Sequence, residues 1–147
     1  MKDAKKVITR CFNCLCWLYF KTNQYDKVRE LIDDKPEDLI ENRNTYFVLA
    51  WANYKLGNVD ECVRYCVEGK KRFPDHEYAC TVYQYIENAV KGKKTGQTPL
   101  LRKAITMKEY QHNNDIDELF TLELIDIYER RKNYENAYKY ARKLLNR

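Results

Sequence analysis

Cys16-Trp17-Leu18-Tyr19-Phe20-Lys21 and Ala50-Trp51-Ala52-Asn53-Tyr54-Lys55 are two versions of one pattern. Each places a tryptophan, then an aromatic three residues on, then a lysine. The two tryptophans, the chain's full complement, stand 34 residues apart. The match continues outward at the same offset: Phe12 with Tyr46, Leu15 with Leu49, Asp26 with Asp60, Val28 with Cys62, Ile32 with Cys66. A period of that length, filled by two helical patterns, means a repeated helical hairpin. One hairpin cannot bury its apolar face alone, so neighbours stack.

Outward from the pair, apolar residues recur at helical spacing. Val7, Ile8, Cys11, Phe12, Leu15, Cys16, Leu18 and Tyr19 predict a first helix over residues 5–21. Thr22-Asn23-Gln24 is a tight turn, and Tyr25, Val28, Leu31 and Ile32 mark a second helix over 25–34. Pro36 opens a short turn over 37–41, because proline tolerates a first helical turn but not an interior. Asn42 to Thr45 offer caps for a third helix ending at Leu56, where Gly57-Asn58 supplies a left-handed stop. A fourth helix spans 59–72, halted at Phe73-Pro74-Asp75. A fifth spans 76–90 with Tyr78, Val82, Tyr85, Ile86 and Ala89 inward. Lys91 to Pro99 is a polar linker holding two of the four glycines. A helix over 100–111, a turn at Asn113-Asn114-Asp115 and a last hairpin (116–131, 134–146) follow. In that hairpin Leu124, Tyr128, Tyr134, Ala137, Ala141 and Leu144 are the expected interior positions. The expectation is therefore all-α: stacked antiparallel helical hairpins, about seven to eight helices. They form a single domain of front hairpins plus capping helix (5–90), linker (91–99) and back hairpin (100–147).

Composition agrees. The 147 residues are 44% hydrophobic with only 4 Gly and 3 Pro, too few for a many-turned sandwich. A net charge of +5 spread over interspersed acids and bases favours acidic partners slightly and does not demand nucleic acid. No stretch reaches the ~18–20 apolar residues of a membrane span. Residues 1–6 do not lead into a secretory signal, so the expectation is an intracellular chain whose six cysteines stay reduced. Cys11, Cys14 and Cys16 lie within a helical pattern, where Cys14 and Cys16 point to nearly opposite sides. Cys62 and Cys66 fall at interior positions. No metal and no cofactor are expected, since zinc asks for four convergent ligands.

Chemistry-bearing patterns are sparse. His76 and His112 sit at a helix start and before a turn, and no phosphate loop, nucleophile elbow or zinc-protease motif occurs. Lys70-Lys71-Arg72 and the basic residues of 91–94 could meet phosphate or be ordinary solvated charge. The chain is read as non-catalytic. In stacked hairpins the first helices line a concave side. The repeat assigns to its inner stripe Arg10, Asn13, Trp17, Phe20 and Lys21, and then Asn44, Phe47, Trp51, Tyr54 and Lys55. An aromatic floor with cationic and amide edges suits a peptide or amphipathic helix with an acidic flank. Two readings of the tryptophans stand: ligand contact, or packing between helices.

The 34-residue unit resembles a tetratricopeptide repeat (TPR). From Arg43 to about Thr95 the chain resembles one TPR-like family in particular, the mitochondrial fission-one adaptors. The resemblance is carried by Arg43-Asn44-Thr45-Tyr46-Phe47-Val48-Leu49-Ala50, Asn53-Tyr54-Lys55-Leu56, Arg64-Tyr65, Pro74, and a capping helix through Ile86 and Ala89 to Lys91. It implies a small helical bundle whose concave groove recruits adaptors at the outer mitochondrial membrane. That family ends in a membrane-spanning tail after the capping helix; here Thr98-Pro99-Leu100-Leu101-Arg102-Lys103 starts a charged helix instead. Three functional expectations follow: an interaction scaffold, cytoplasmic or mitochondrion-associated; a structural subunit of a larger complex; or an RNA-reading helical repeat.

Overall fold

A computed structural model describes residues 2–33, 37–107 and 114–146. Among the described residues it is all-α, with eight helices and no strand: α1 (Lys2–Lys21), α2 (Tyr25–Asp33), α3 (Arg43–Lys55), α4 (Val59–Arg72), α5 (Glu77–Val90), α6 (Gln97–Thr106), α7 (Asn114–Arg130) and α8 (Tyr134–Leu145). A 3-10 turn, Glu37–Leu39, precedes α3. Pro36, His112 and Asn113, read from the sequence as a turn opener, a histidine before a turn and part of that turn, lie outside the described residues. The chain divides into two compact units, Met1–Lys93 and Lys94–Arg147, with the division inside the expected linker.

In the first unit each helix packs on the next, and α1 also packs on α3, and α3 on α5. Helices of alternating order thus share a layer, as stacked hairpins require. α3 sits at the centre. Every residue from Thr45 to Asn53 is buried, so this helix is enclosed on all sides. The α4–α5 crossing is close because Gly69 has no side chain: a Cβ there would fall 2.6 Å from Tyr83 Cε2. The Tyr83 hydroxyl, itself buried, donates to the Arg43 carbonyl of α3 at 2.7 Å.

The repeat is written in the backbone as well as in the side chains. After α1, α3, α5 and α7 the chain makes the same six-residue stop. Asn23, Gly57, Gly92 and Lys132 take left-handed φ values of 57°, 78°, 74° and 59°. At each, two amides return to the last helical carbonyls. Gln24 N bonds Tyr19 O, Asn58 N bonds Asn53 O, Lys93 N bonds Asn88 O and Asn133 N bonds Tyr128 O, at 2.8–2.9 Å. This pair of hydrogen bonds satisfies carbonyls that a helix end otherwise leaves without partners.

Starts are capped as the residue types require. Asn42 and Asn133 accept from the amides three residues on, and His76 does the same through Nδ1 to Ala79 N at 3.1 Å. The sixth helix begins at Gln97, three residues earlier than the sequence reading, and ends at Thr106. Pro99 therefore lies within its first turn, where a missing N–H costs nothing.

The second unit packs α6 on α7 and α7 on α8. Leu124, Tyr128 and Ala137 are buried as expected, with Tyr128 stacked on Tyr140 at 5.9 Å. Tyr134 and Ala141, read as interior, are exposed instead, and Leu144 is half-buried. The apolar sector of α8 is wider than the face α7 covers. α1 departs in the same way. Of its eight apolar positions only Phe12 and Cys16 are buried; Val7 is 61% and Leu18 57% exposed, with Ile8, Cys11 and Leu15 also outward.

Candidate functional site: an aromatic row with a cationic edge

The repeated residues do converge. Trp17 and Phe20 of α1 meet at 5.2 Å between ring centroids, and Phe20 stands edge-on to Phe47 of α3 at 5.3 Å. Phe47 stacks on Trp51 at 6.0 Å, and Trp51 meets Tyr54 at 5.3 Å. Five rings thus run continuously from α1 across to the end of α3, in the offset and edge-on arrangements that ring quadrupoles favour. Lys55 Nζ lies 4.9 Å from the Trp51 ring and 5.3 Å from Tyr54, close enough for cation–π attraction.

The row is only partly open, which corrects the sequence reading. Trp51 is 0% exposed and Phe47 and Phe20 are buried, so these three rings are core. Trp17 and Tyr54, at the two ends, are half-buried. The physical reason is neighbourhood. α3 is wrapped by α1, α2, α4 and α5, whereas α1 packs on α2, α3 and the 3-10 turn. Two tryptophans equivalent by sequence therefore meet different surroundings. Arg10, Lys21, Asn44 and Lys55 are exposed along the flanks.

Asn13 is also corrected. It faces inward and joins three segments. Its amide donates to the carbonyls of Thr9 (2.7 Å) and Leu39 (2.8 Å), and its oxygen accepts from the Thr45 hydroxyl and the Glu41 amide. Buried amides must be satisfied, and this one fastens α1 to the start of α3. The candidate site thus narrows to Arg10, Trp17, Lys21, Asn44, Tyr54 and Lys55.

Other polar side chains are engaged within the fold. Lys70 bonds Gln84 (2.9 Å) and Glu87 (3.0 Å), and Lys91 bonds Glu87 at 3.1 Å. Burial alone would raise the Glu87 carboxyl, but the two ammonium groups outweigh it and hold it below its usual range. Arg72 donates to the Tyr46 hydroxyl at 3.0 Å. Two members of the first basic cluster are thereby engaged within the fold. Cys16, Cys62 and Cys66 are buried while Cys11 and Cys14 are exposed. Burial pushes the Cys16 thiol up to about 12, and hydrogen bonding to Cys62 together with burial raises Cys66. Among the described residues no group of three or more His, Cys, Asp or Glu is arranged to hold a metal ion, and no helix is long and apolar enough to cross a membrane.

No known family, curated protein or solved structure matches this chain.

The sequence reading missed the outward side of α1. Ala4, Val7, Ile8, Cys11, Cys14, Leu15 and Leu18 form an exposed stripe, with Lys6, Arg10 and Lys21 in a row along one border. A signal was present: the apolar residues of α1 fill two sides of the helix, and the packing around it covers one.

Proposed function

We propose that this chain is a non-catalytic interaction module of the TPR-like kind that holds a peptide or amphipathic helix with an acidic flank. The observation that carries the reading is the aromatic row, whose two half-exposed ends, Trp17 and Tyr54, lie beside the exposed cations of Lys21 and Lys55. Large rings with a polar handle anchor partners, and adjacent ammonium groups select acidic neighbours. The buried middle of the row holds those ends in place without being touched by ligand. Recruitment of an adaptor, and association with mitochondria, are what the resemblance of residues 43–95 adds to this reading.

The test is a titration against a panel of fluorescent acidic–apolar helical peptides. Binding should weaken roughly thirtyfold in Trp17→Ala, as for a hot-spot aromatic, and several-fold in Lys55→Glu, with helical content unchanged in both. Equal affinity of wild type and both variants would refute the site.

A second reading, a subunit of a larger assembly, is favoured by the exposed apolar stripe of α1. Contiguous outward apolar surface marks contacts more often than it marks free surface. Isolation of the chain in a fixed stoichiometric complex from its native source would favour this reading over transient peptide capture.

A further inference from the structure

We propose that the outward face of α1 docks on the outward face of α7 from a second copy of this chain. This goes beyond the peptide-binding reading: the α1 face adjoins that site, sharing Arg10 and Lys21 at the common border, while the α7 face lies outside it.

The α1 stripe is helically continuous. Val7, Cys11, Cys14 and Leu18 recur every three or four residues, and Ile8 and Leu15 widen the line; all are exposed. An outward helix face is ordinarily polar. This one is apolar in the middle and basic along one border, with Lys6, Arg10 and Lys21 at helical spacing.

The complement is on the same molecule. Along α7, Glu118, Leu122, Asp126 and Glu129 fall on one face and are exposed, and Asp115 and Leu119 beside them are half-buried. Leu122, 50% exposed, stands in the middle of this acidic row. The two faces also agree in length. At 1.5 Å per residue, Lys6 to Lys21 spans about 22 Å and Asp115 to Glu129 about 21 Å. A helix with an apolar centre and acidic rim thus meets a helix with an apolar stripe and basic border.

Other pairings within a homo-oligomer are less well matched. Two α1 faces would bring their basic rows together. The exposed apolar residues of α8 (Tyr134, Tyr138 and Leu145) lie on a helix carrying Lys139, Arg142 and Lys143. Opposite charge selects α7 over both. A single helix pair is a small interface, so the association is weak and concentration-dependent. It also weakens with added salt.

The experiment is sedimentation of the whole chain with paired charge reversals. Wild type should self-associate, with Lys6→Glu/Arg10→Glu and Glu118→Lys/Glu129→Lys each weakening association at least roughly tenfold. An equimolar mixture of the two variants should recover it, because each supplies the charge the other lacks. The native thiols of Cys11 and Cys14 report the contact directly. With Leu122→Cys, a bis-maleimide should join either thiol to the introduced one between isotopically distinct copies. A wild type that stays monomeric up to millimolar concentration overturns the proposal. So does a Glu118→Lys/Glu129→Lys variant that associates like wild type, or a cross-link confined to α1 with α1. Trp17→Ala should lose peptide and keep self-association, while the α7 variant should do the reverse, so the two surfaces fail separately.

Discussion

Trp17 and Trp51 show how far one residue type at one repeat position can diverge. Trp51 fills the centre of the first unit, and Trp17 caps the row at its edge. Trp51→Ala should cost about 3–5 kcal/mol, the range for emptying a buried aromatic site, while Trp17→Ala should cost well under half of that. Urea unfolding followed by circular dichroism distinguishes them, and equal losses would mean that the two rings are equally enclosed. His76 adds a titratable cap. Its Nδ1 must be unprotonated to accept from Ala79 N, and burial together with the nearby Arg43 charge lowers its pKa from the ordinary 6.5. A group whose folded pKa lies below its unfolded one stabilises above the unfolded value and loses that contribution as pH falls through the folded value. Stability should therefore decline on acidification below about 6.5, and His76→Asn, a cap that does not titrate, should flatten that part of the profile. Denaturant midpoints at a series of pH values check the slope.

At the scale of elements, the hairpin period was legible because its stops are local. Gly57 announces its left-handed turn in the sequence, and Asn23 does so more faintly. Lys132 announces nothing, since its φ of 59° is imposed by the bonds around it. A β-carbon in that region costs roughly 1–2 kcal/mol, so Lys132→Gly should stabilise the α7–α8 hairpin by about 0.5–1 kcal/mol after the entropy glycine adds to the unfolded chain. A thermal melt of whole protein and variant measures it. What the sequence could not convey was which face of each helix finds a neighbour. α1 and α8 carry apolar sectors broader than their packed faces, and periodicity alone marks a sector without saying how much is covered. The same gap explains Asn13. A polar residue on a predicted stripe reads as a ligand contact until its four hydrogen bonds turn out to be internal.

At the scale of the molecule, the chain divides into two compact units. The first unit holds α1 to α5 with the enclosed α3 at its centre; the second holds three helices around Phe120, Leu124 and Tyr128. Between them residues 91–96 are exposed and non-helical, with Gly92 and Gly96 at φ 74° and 84° and lysines at 91, 93 and 94. Proteases need an accessible segment outside regular helix, and this one is exposed and non-helical and carries trypsin's side chain. Brief digestion should cut first within 91–94, ahead of the many lysines and arginines inside helices. The fragment 1–93 contains an enclosed helix and its neighbours, so it should keep its helical signal and unfold cooperatively. The fragment 94–147 should melt at lower temperature or not fold, because a chain near 60 residues buries only about 60% of its surface. Mass spectrometry of the early products fixes the cut, and calorimetry of the two purified fragments fixes their order of stability. A first cut inside α3 or α4, or a fragment 1–93 without a cooperative melt, would show that the first unit does not stand by itself.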